Sequence, residues 1–202
     1  HTNDRRQRQM CIRDSFGLEQ PQSVNLSDPY GGEKFMFYHF FADANLRSRS
    51  TTGGVGMLAG GCIQPVSQRQ HLSAPGSHTV EVVGAGTNYS LIVPTGGMLQ
   101  EMHIRQGVPV PFYLDSSTTV FVATSDTAVK KSVWLVRRVA VLEDGVTHGE
   151  LNPLYLTERD MAADPFTKYL TYPVWSRHMH YVMNKTGAVP PYPQRGSKDT
   201  VG

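Results

Sequence analysis

The stretch "HTVEVVGAGTNYSLIVPTGGMLQEMHI" (78–104) decides the fold. Its valines and isoleucines favour extended chain. Read with a period of two, "HTVEVVG" puts Val80 and Val82 on one face and Val83 on the other. "GAGT" (84–87) is a hairpin-type turn, rich in residues that tolerate positive φ. "NYSLIVP" (88–94) returns as a strand and stops at "PTGG". "MLQEMHI" (98–104) then alternates Met98, Gln100, Met102 and Ile104 against Leu99, Glu101 and His103. Several short strands are therefore expected here.

The same punctuation extends outward. "KFMFYHFF" (34–41) is an aromatic run of strand length, and the prolines of "VPVPFYL" (108–114) hold that segment extended. "STTVFVATS" (117–125) is a further β run. Residues 34–125 thus hold six or seven strands with turn signals every 8–12 residues or so, a pattern that predicts an antiparallel β-sandwich or barrel. The fold class expected is mainly β, with a smaller, partly helical C-terminal region over 126–187. Within it, 126–144 stacks Val129, Val133, Val136 and Ala140 on one helical face, with Asp126 as N-cap, although its valines also suit a strand. "GVTHGELNPLYL" (145–156) reads as a loop. "YPVWSRHMHYVMNKTG" (172–187) reads as a short amphipathic helix closed by Gly187. Residues 1–33 read as an extended arm and 188–202 as a Pro-rich tail.

Composition excludes several functions. A length of 202 residues suits one sizeable domain, alone or with a small appendage. A net charge of +2 gives no strongly basic surface for phosphate backbones. No apolar run approaches the roughly 18 residues that span a bilayer. The two cysteines, Cys11 and Cys62, make neither a disulfide framework nor a zinc knuckle.

Chemical motifs are sparse. "TTGGVGMLAGGC" (51–62) lacks the lysine of a phosphate loop. Gly54, Gly56 and Ala59 have dinucleotide-turn spacing, but no buried strand precedes them and no helix follows. The stretch reads as a bend where backbone passes close to another surface. Of eight histidines only His178 and His180 are close, and not at zinc-hydrolase spacing. The acids Asp115, Asp126, Glu143, Asp144, Glu150, Glu158 and Asp160 form no evident acid–base pair. Bottom-up, the chain reads as a β-rich interaction module without catalysis, cofactor or metal.

The order of features resembles the small central-stalk subunit of F-type ATP synthases, delta in mitochondria and epsilon in bacteria. "KFMFYHFFADANLR" is similar to that family's opening strand, "TTGGVGMLAGG" to its glycine signature, and "SAPGSHTVEVVGAG", "NYSLIVPTGGML" and "DSSTTVFVATSDTAV" to the segments that follow. The resemblance covers about 34–129. It implies a two-sheet β-sandwich with a mechanical rotor role between the gamma subunit and the c-ring, beside the small epsilon-type stalk subunit. It also implies a peripheral place on the matrix side of the mitochondrial inner membrane, with no nucleic acid bound and no membrane span. Gly54, Gly56, Met57, Leu58, Gly60 and Gly61 are then the candidate partner interface, with Met57 and Leu58 expected to be exposed. The departures are the missing histidine after the glycine loop and the absent pair of long C-terminal helices. Two alternatives are a viral jelly-roll capsid protein and a cupin-like β-barrel metal enzyme using some of His39, His71, His78 and His103.

Overall fold

The computed structural model describes residues 37–46, 49–71, 75–104, 109–125 and 133–185. The expected arm (1–33) and tail (188–202), the Asp126 cap, Val129 and the Gly187 stop lie outside these residues.

Five strands form one mixed sheet. They are β1 (His39–Asn45), β2 (Thr51–Leu58), β3 (Gly61–Arg69), β4 (Val110–Leu114) and β5 (Leu151–Tyr155), in the order β3-β2-β1-β4-β5. The first three make an antiparallel meander, whereas β4 runs parallel to β1 and β5 parallel to β4. Parallel neighbours need crossover connections, and helices supply them. Helix α1 (Ser77–Glu101) links β3 to β4, and α2 (Ser117–Thr124) and α3 (Val133–Thr147) lie between β4 and β5. Two 3-10 turns (Glu158–Asp160 and Asp164–Phe166) and helix α4 (Tyr172–Val182) follow β5. Among the described residues no helix is long and apolar enough to cross a membrane.

This architecture overturns the expected mainly-β sandwich or barrel, and with it the jelly-roll and cupin alternatives. The largest misreading is α1, one 25-residue helix in place of several strands. Its physical cause is burial on two sides. Ala85, Ile92 and Leu99 join the cluster formed with Phe40 and Phe112 of the sheet, while Val82 packs with Val122 of α2 and Leu135 and Val139 of α3. A helix clamped between a sheet and other helices carries apolar residues all round, so its 3.6-residue period is hidden. The positions that cross the sheet most closely are Gly84 and Asn88, which carry no apolar signal. A Cβ at Gly84 would lie 2.8 Å from Ala44 Cβ.

Other expectations shift for local reasons. The β run at 117–125 is α2, started by Ser116, whose hydroxyl accepts from Thr119 N at 3.2 Å. The expected loop at 145–156 contains β5, which completes the sheet. Helix α3 forms, but its buried stripe is Leu135, Val139 and Leu142, and Val136 is exposed. The helix read over 172–187 is observed as Tyr172–Val182.

The glycine stretch is strand β2, followed by a turn at Ala59 and Gly60, both at positive φ, that leads into β3. On the α1 side of β2, a Cβ at Gly54 would lie 2.7 Å from Phe40 Cε1. Met57 is fully buried in the cluster of Phe41, Val55, Tyr113 and Tyr181 on the opposite face, so it offers no exposed surface. The sheet is thus covered by α1, α2 and α3 on one face and by the 3-10 turns and α4 on the other.

Two glycine substitutions test this packing in opposite directions. Gly54→Ala must push into the Phe40 ring and lower stability by about 1–3 kcal/mol. Gly97→Ala, on an exposed position of α1 with nothing within 4 Å of the added Cβ, raises it by about 0.5–1 kcal/mol. Urea midpoints that move in the same direction for both variants would contradict the arrangement.

Candidate metal centre

Strand β1 reads "HFFADAN", a run whose one carboxylate, Asp43, is 4% exposed. Isolating a carboxylate in that position is costly unless something binds it. The parallel register pairs Ala42 with Leu114. Asp43 and Asp115 come next along the two chains, so both carboxylates sit at the carboxyl end of the parallel strands, where open α/β sheets form their ligand crevices.

The third carboxylate arrives from the helix layer. Gln70, the residue after β3, donates through Nε2 to Thr52 Oγ1 at 2.9 Å and to Val80 O at 3.0 Å, tying the start of α1 to the meander. Glu81, the next residue, thereby reaches the strand ends. The ligand oxygens of Asp43, Glu81 and Asp115 all lie within 4.8 Å of one another. They line an open cleft of about 320 Å³ together with Ser77, Glu158 and Lys168.

The opposite wall comes from the second 3-10 turn. Thr167 Oγ1 donates a hydrogen bond to Asp43 Oδ2. This contact needs Gly53, because a Cβ there would overlap Thr167 Cγ2 and lie 3.1 Å from Ala163 O. Lys168 Nζ is 3.0 Å from Asp164 Oδ2 and 3.3 Å from Glu158 Oε1. The buried Arg177 of α4 pairs with Asp160 at 3.1 Å and so holds the turn that carries Glu158.

Crowded carboxylates resist ionising together. Glu81 is held well above the usual carboxylate range, by burial first and then by the charges of Asp115 and Asp43. Asp115 is raised by burial and by Asp43. Burial and Asp43 push Asp164 up to about 8 even though Lys168 opposes the shift. Burial by itself would lower Lys168, but Asp43 and Asp164 outweigh it and hold the ammonium above its ordinary value. Asp115 Oδ1 and Asp164 Oδ1 are buried and receive no hydrogen bond. An all-oxygen, anionic donor set with unsatisfied buried oxygens fits a hard divalent cation such as Mg²⁺ or Mn²⁺.

The residues singled out from the sequence lie elsewhere. Gly54, Gly56, Met57 and Leu58 are on β2, Gly60 is in the turn and Gly61 begins β3. None of them lines the cleft. His39 is buried on β1, His71 and His103 are exposed, and His78 is partly buried in α1. Among the described residues none of these four belongs to a metal-capable group. Asp115 is one of the acids named from the sequence; its partners Asp43 and Glu81 are not. A signal existed, since each of the three acids interrupts or directly ends an apolar run: "FFADA", "TVEVV" and "PFYLD".

No family model matches the chain. No curated protein matches it either. Among solved structures it is similar to the N-terminal RNase H domain of rv2228c from Mycobacterium tuberculosis, at 14% identity and a TM-score of 0.48, over 65% of this chain and 91% of that one. It is similar also to LC11-RNase H1 in complex with an RNA/DNA hybrid, at 14% identity and 0.46, over 64% and 93%. A third is a foamy viral protease-reverse transcriptase in complex with an RNA/DNA hybrid, at 9% identity and 0.39, over 74% of this chain and 21% of that one. These likenesses are too slight to assign a family. Among the described residues the strands form one mixed sheet, so the sandwich that the stalk resemblance requires is absent from them. The rotor role and the gamma, c-ring and epsilon-type partners fall with that sandwich. The expectations of a non-enzyme and of no nucleic-acid partner, which the stalk resemblance implied, fall with it.

The carboxylates set a pH dependence. An acid whose folded-state pKa is raised binds more protons folded than unfolded, so stability falls as pH rises through that interval. For Asp164 the interval runs from 3.8 to about 8. His39 and His178, each lowered to about 4 by burial, act in the opposite sense up to their ordinary 6.5. The acids therefore act without that opposition between about pH 6.5 and 8. There the metal-free chain loses stability, and millimolar Mn²⁺ restores it by roughly 2–3 kcal/mol at 100 times Kd. Urea unfolding at pH 6.5 and 8, with and without Mn²⁺, measures this. A metal-free stability that rises across that window would refute the assignment.

Proposed function

We propose that the chain is a divalent-cation-dependent hydrolase of phosphodiesters, with nucleic acid as substrate. The observation that carries this reading is the convergence of Asp43, Glu81 and Asp115 within 4.8 Å at the mouth of an open cleft. Three anionic oxygens at that spacing have little structural use to the fold, since their mutual repulsion opposes it.

When bound, a divalent cation supplies positive charge for a phosphate oxygen and a water that ionises near neutral pH. Asp43, Glu81 and Asp115 would hold it. Thr167 fixes the orientation of Asp43 through its hydroxyl, a constraint that keeps the donor set in one geometry. Lys168 keeps a positive charge in the cleft beside Asp164. The overall reaction adds the elements of water across a P–O ester bond: hydroxide oxygen goes to phosphorus and the proton to the departing alcohol.

An RNA/DNA hybrid, the nucleic acid in two of the similar structures, is the first substrate to test. Mg²⁺- or Mn²⁺-dependent cleavage is expected, and chelation by EDTA abolishes it. Asp43→Asn, which removes one ligand charge but little volume, lowers kcat by on the order of 10²–10³-fold, the loss expected when several kcal/mol of transition-state stabilisation disappears. Thr167→Val weakens Mn²⁺ binding by about 10–100-fold, and Thr167→Ser restores it. An Asp43→Asn variant as active as wild type on hybrid, duplex and single-stranded substrates would end this reading.

A further inference from the structure

Lys168 is held beside the carboxylates by its own contacts. Among the described residues the metal-capable group holds three carboxylates, and Asp164 is not one of them. Yet Asp164 lies in the neighbouring wall with its side chain 2% exposed, and its Oδ1 has no hydrogen-bond partner. Its other oxygen is taken by Lys168 Nζ at 3.0 Å. The ammonium is held from a second side by Glu158 Oε1 at 3.3 Å.

The local chain fixes this arrangement. Asp164 and Lys168 are four residues apart on one turn, and Lys168 N donates to Asp164 O at 3.2 Å. The lysine stem is therefore directed along the same wall as the carboxylate it neutralises. Lys168 also lines the cleft that contains Asp43, Glu81 and Asp115. Thr167 Oγ1 hydrogen-bonds both Asp43 Oδ2 and Asp164 O, which brings the two aspartates to one wall, and the charges of both act on the ammonium, so a divalent ion shared by them would compete with it.

Resting on the metal-dependent reading, we propose that Lys168 is the second cation of the site: its ammonium fills the position at which another divalent ion would join Asp164 to Asp43, so that each chain binds one divalent ion. The lysine is a compact point charge with three donors, able to satisfy Asp164 and Glu158 together. It makes one of the site's three positive charges permanent and independent of metal concentration.

Equilibrium dialysis of the full chain with Mn²⁺, with bound and free ion counted by electron paramagnetic resonance, tests the proposal. One ion per wild-type chain is expected, rising to two in Lys168→Met and remaining one in Lys168→Arg. Two ions on the wild type would overturn the lysine proposal while leaving the metal-dependent reading intact. A folded Lys168→Met that still binds one ion would also overturn it. No ion on the wild type would defeat the metal-dependent reading itself, and this proposal with it. Should Lys168→Met fail to fold, the wild-type count decides alone, one ion in favour and two against.

Discussion

The molecule depends on how thin its sheet is at β2. Protein layers pack at distances set by the side chains between them. At Gly54 there is none, and Phe40 together with Asn88 of α1 occupies the space. Asn88 Nδ2 donates to Gly53 O at 3.0 Å, fastening helix to strand directly. At Gly53, on the other face, Thr167 presses against the backbone. A strand stripped of side chains lets both covering layers reach the central strand, and both layers carry site residues. Glu81 comes with α1, and Thr167, Asp164 and Lys168 come with the 3-10 turn.

What that closeness assembles is electrostatically unfavourable. Asp43, Glu81, Asp115 and Asp164 face one another with one ammonium among them. Burial and the neighbouring charges drive protons onto Glu81, Asp115 and Asp164, and no donor reaches Asp115 Oδ1 or Asp164 Oδ1. Such an arrangement is the counterpart of a strong ligand charge: the repulsion present in the empty site is relieved when a cation enters. The rest of the fold supplies the rigidity for this. The aromatic stack of Phe41 on Tyr113, with centroids 5.0 Å apart, locks β1 to β4 just before the two aspartates.

Parts of this were legible in the sequence. Helix α4 was, because it lies on the sheet by one face and keeps its amphipathic period. Helix α3 was too over 133–144, but with its stripe displaced by one residue, since Leu135 and Val136 are equally apolar and only contact distinguishes them. Helix α1 was not, because valines packed on two opposing faces look like a strand and because its closest approach to the sheet uses glycine. The strand β2 was hidden for the complementary reason: glycine has low strand preference, and only a neighbouring layer explains its use. The site was partly legible. A lone Asp43 among aromatics and alanines is a local anomaly, but its meeting with Asp115 depends on a parallel register across some 70 residues of chain, which local patterns do not encode.

The contact between Gly53 and Thr167 also limits how this chain can diversify. Position 53 has no room while a γ-methyl stands at 167. An alanine at 53 requires the loss of that methyl, and serine at 167 is the replacement that removes it yet keeps the hydroxyl on Asp43. An alanine at 53 is therefore expected only in related chains that carry serine at 167, more than one hundred residues away, and a sequence that gains it beside threonine has given up the orientation of its first carboxylate.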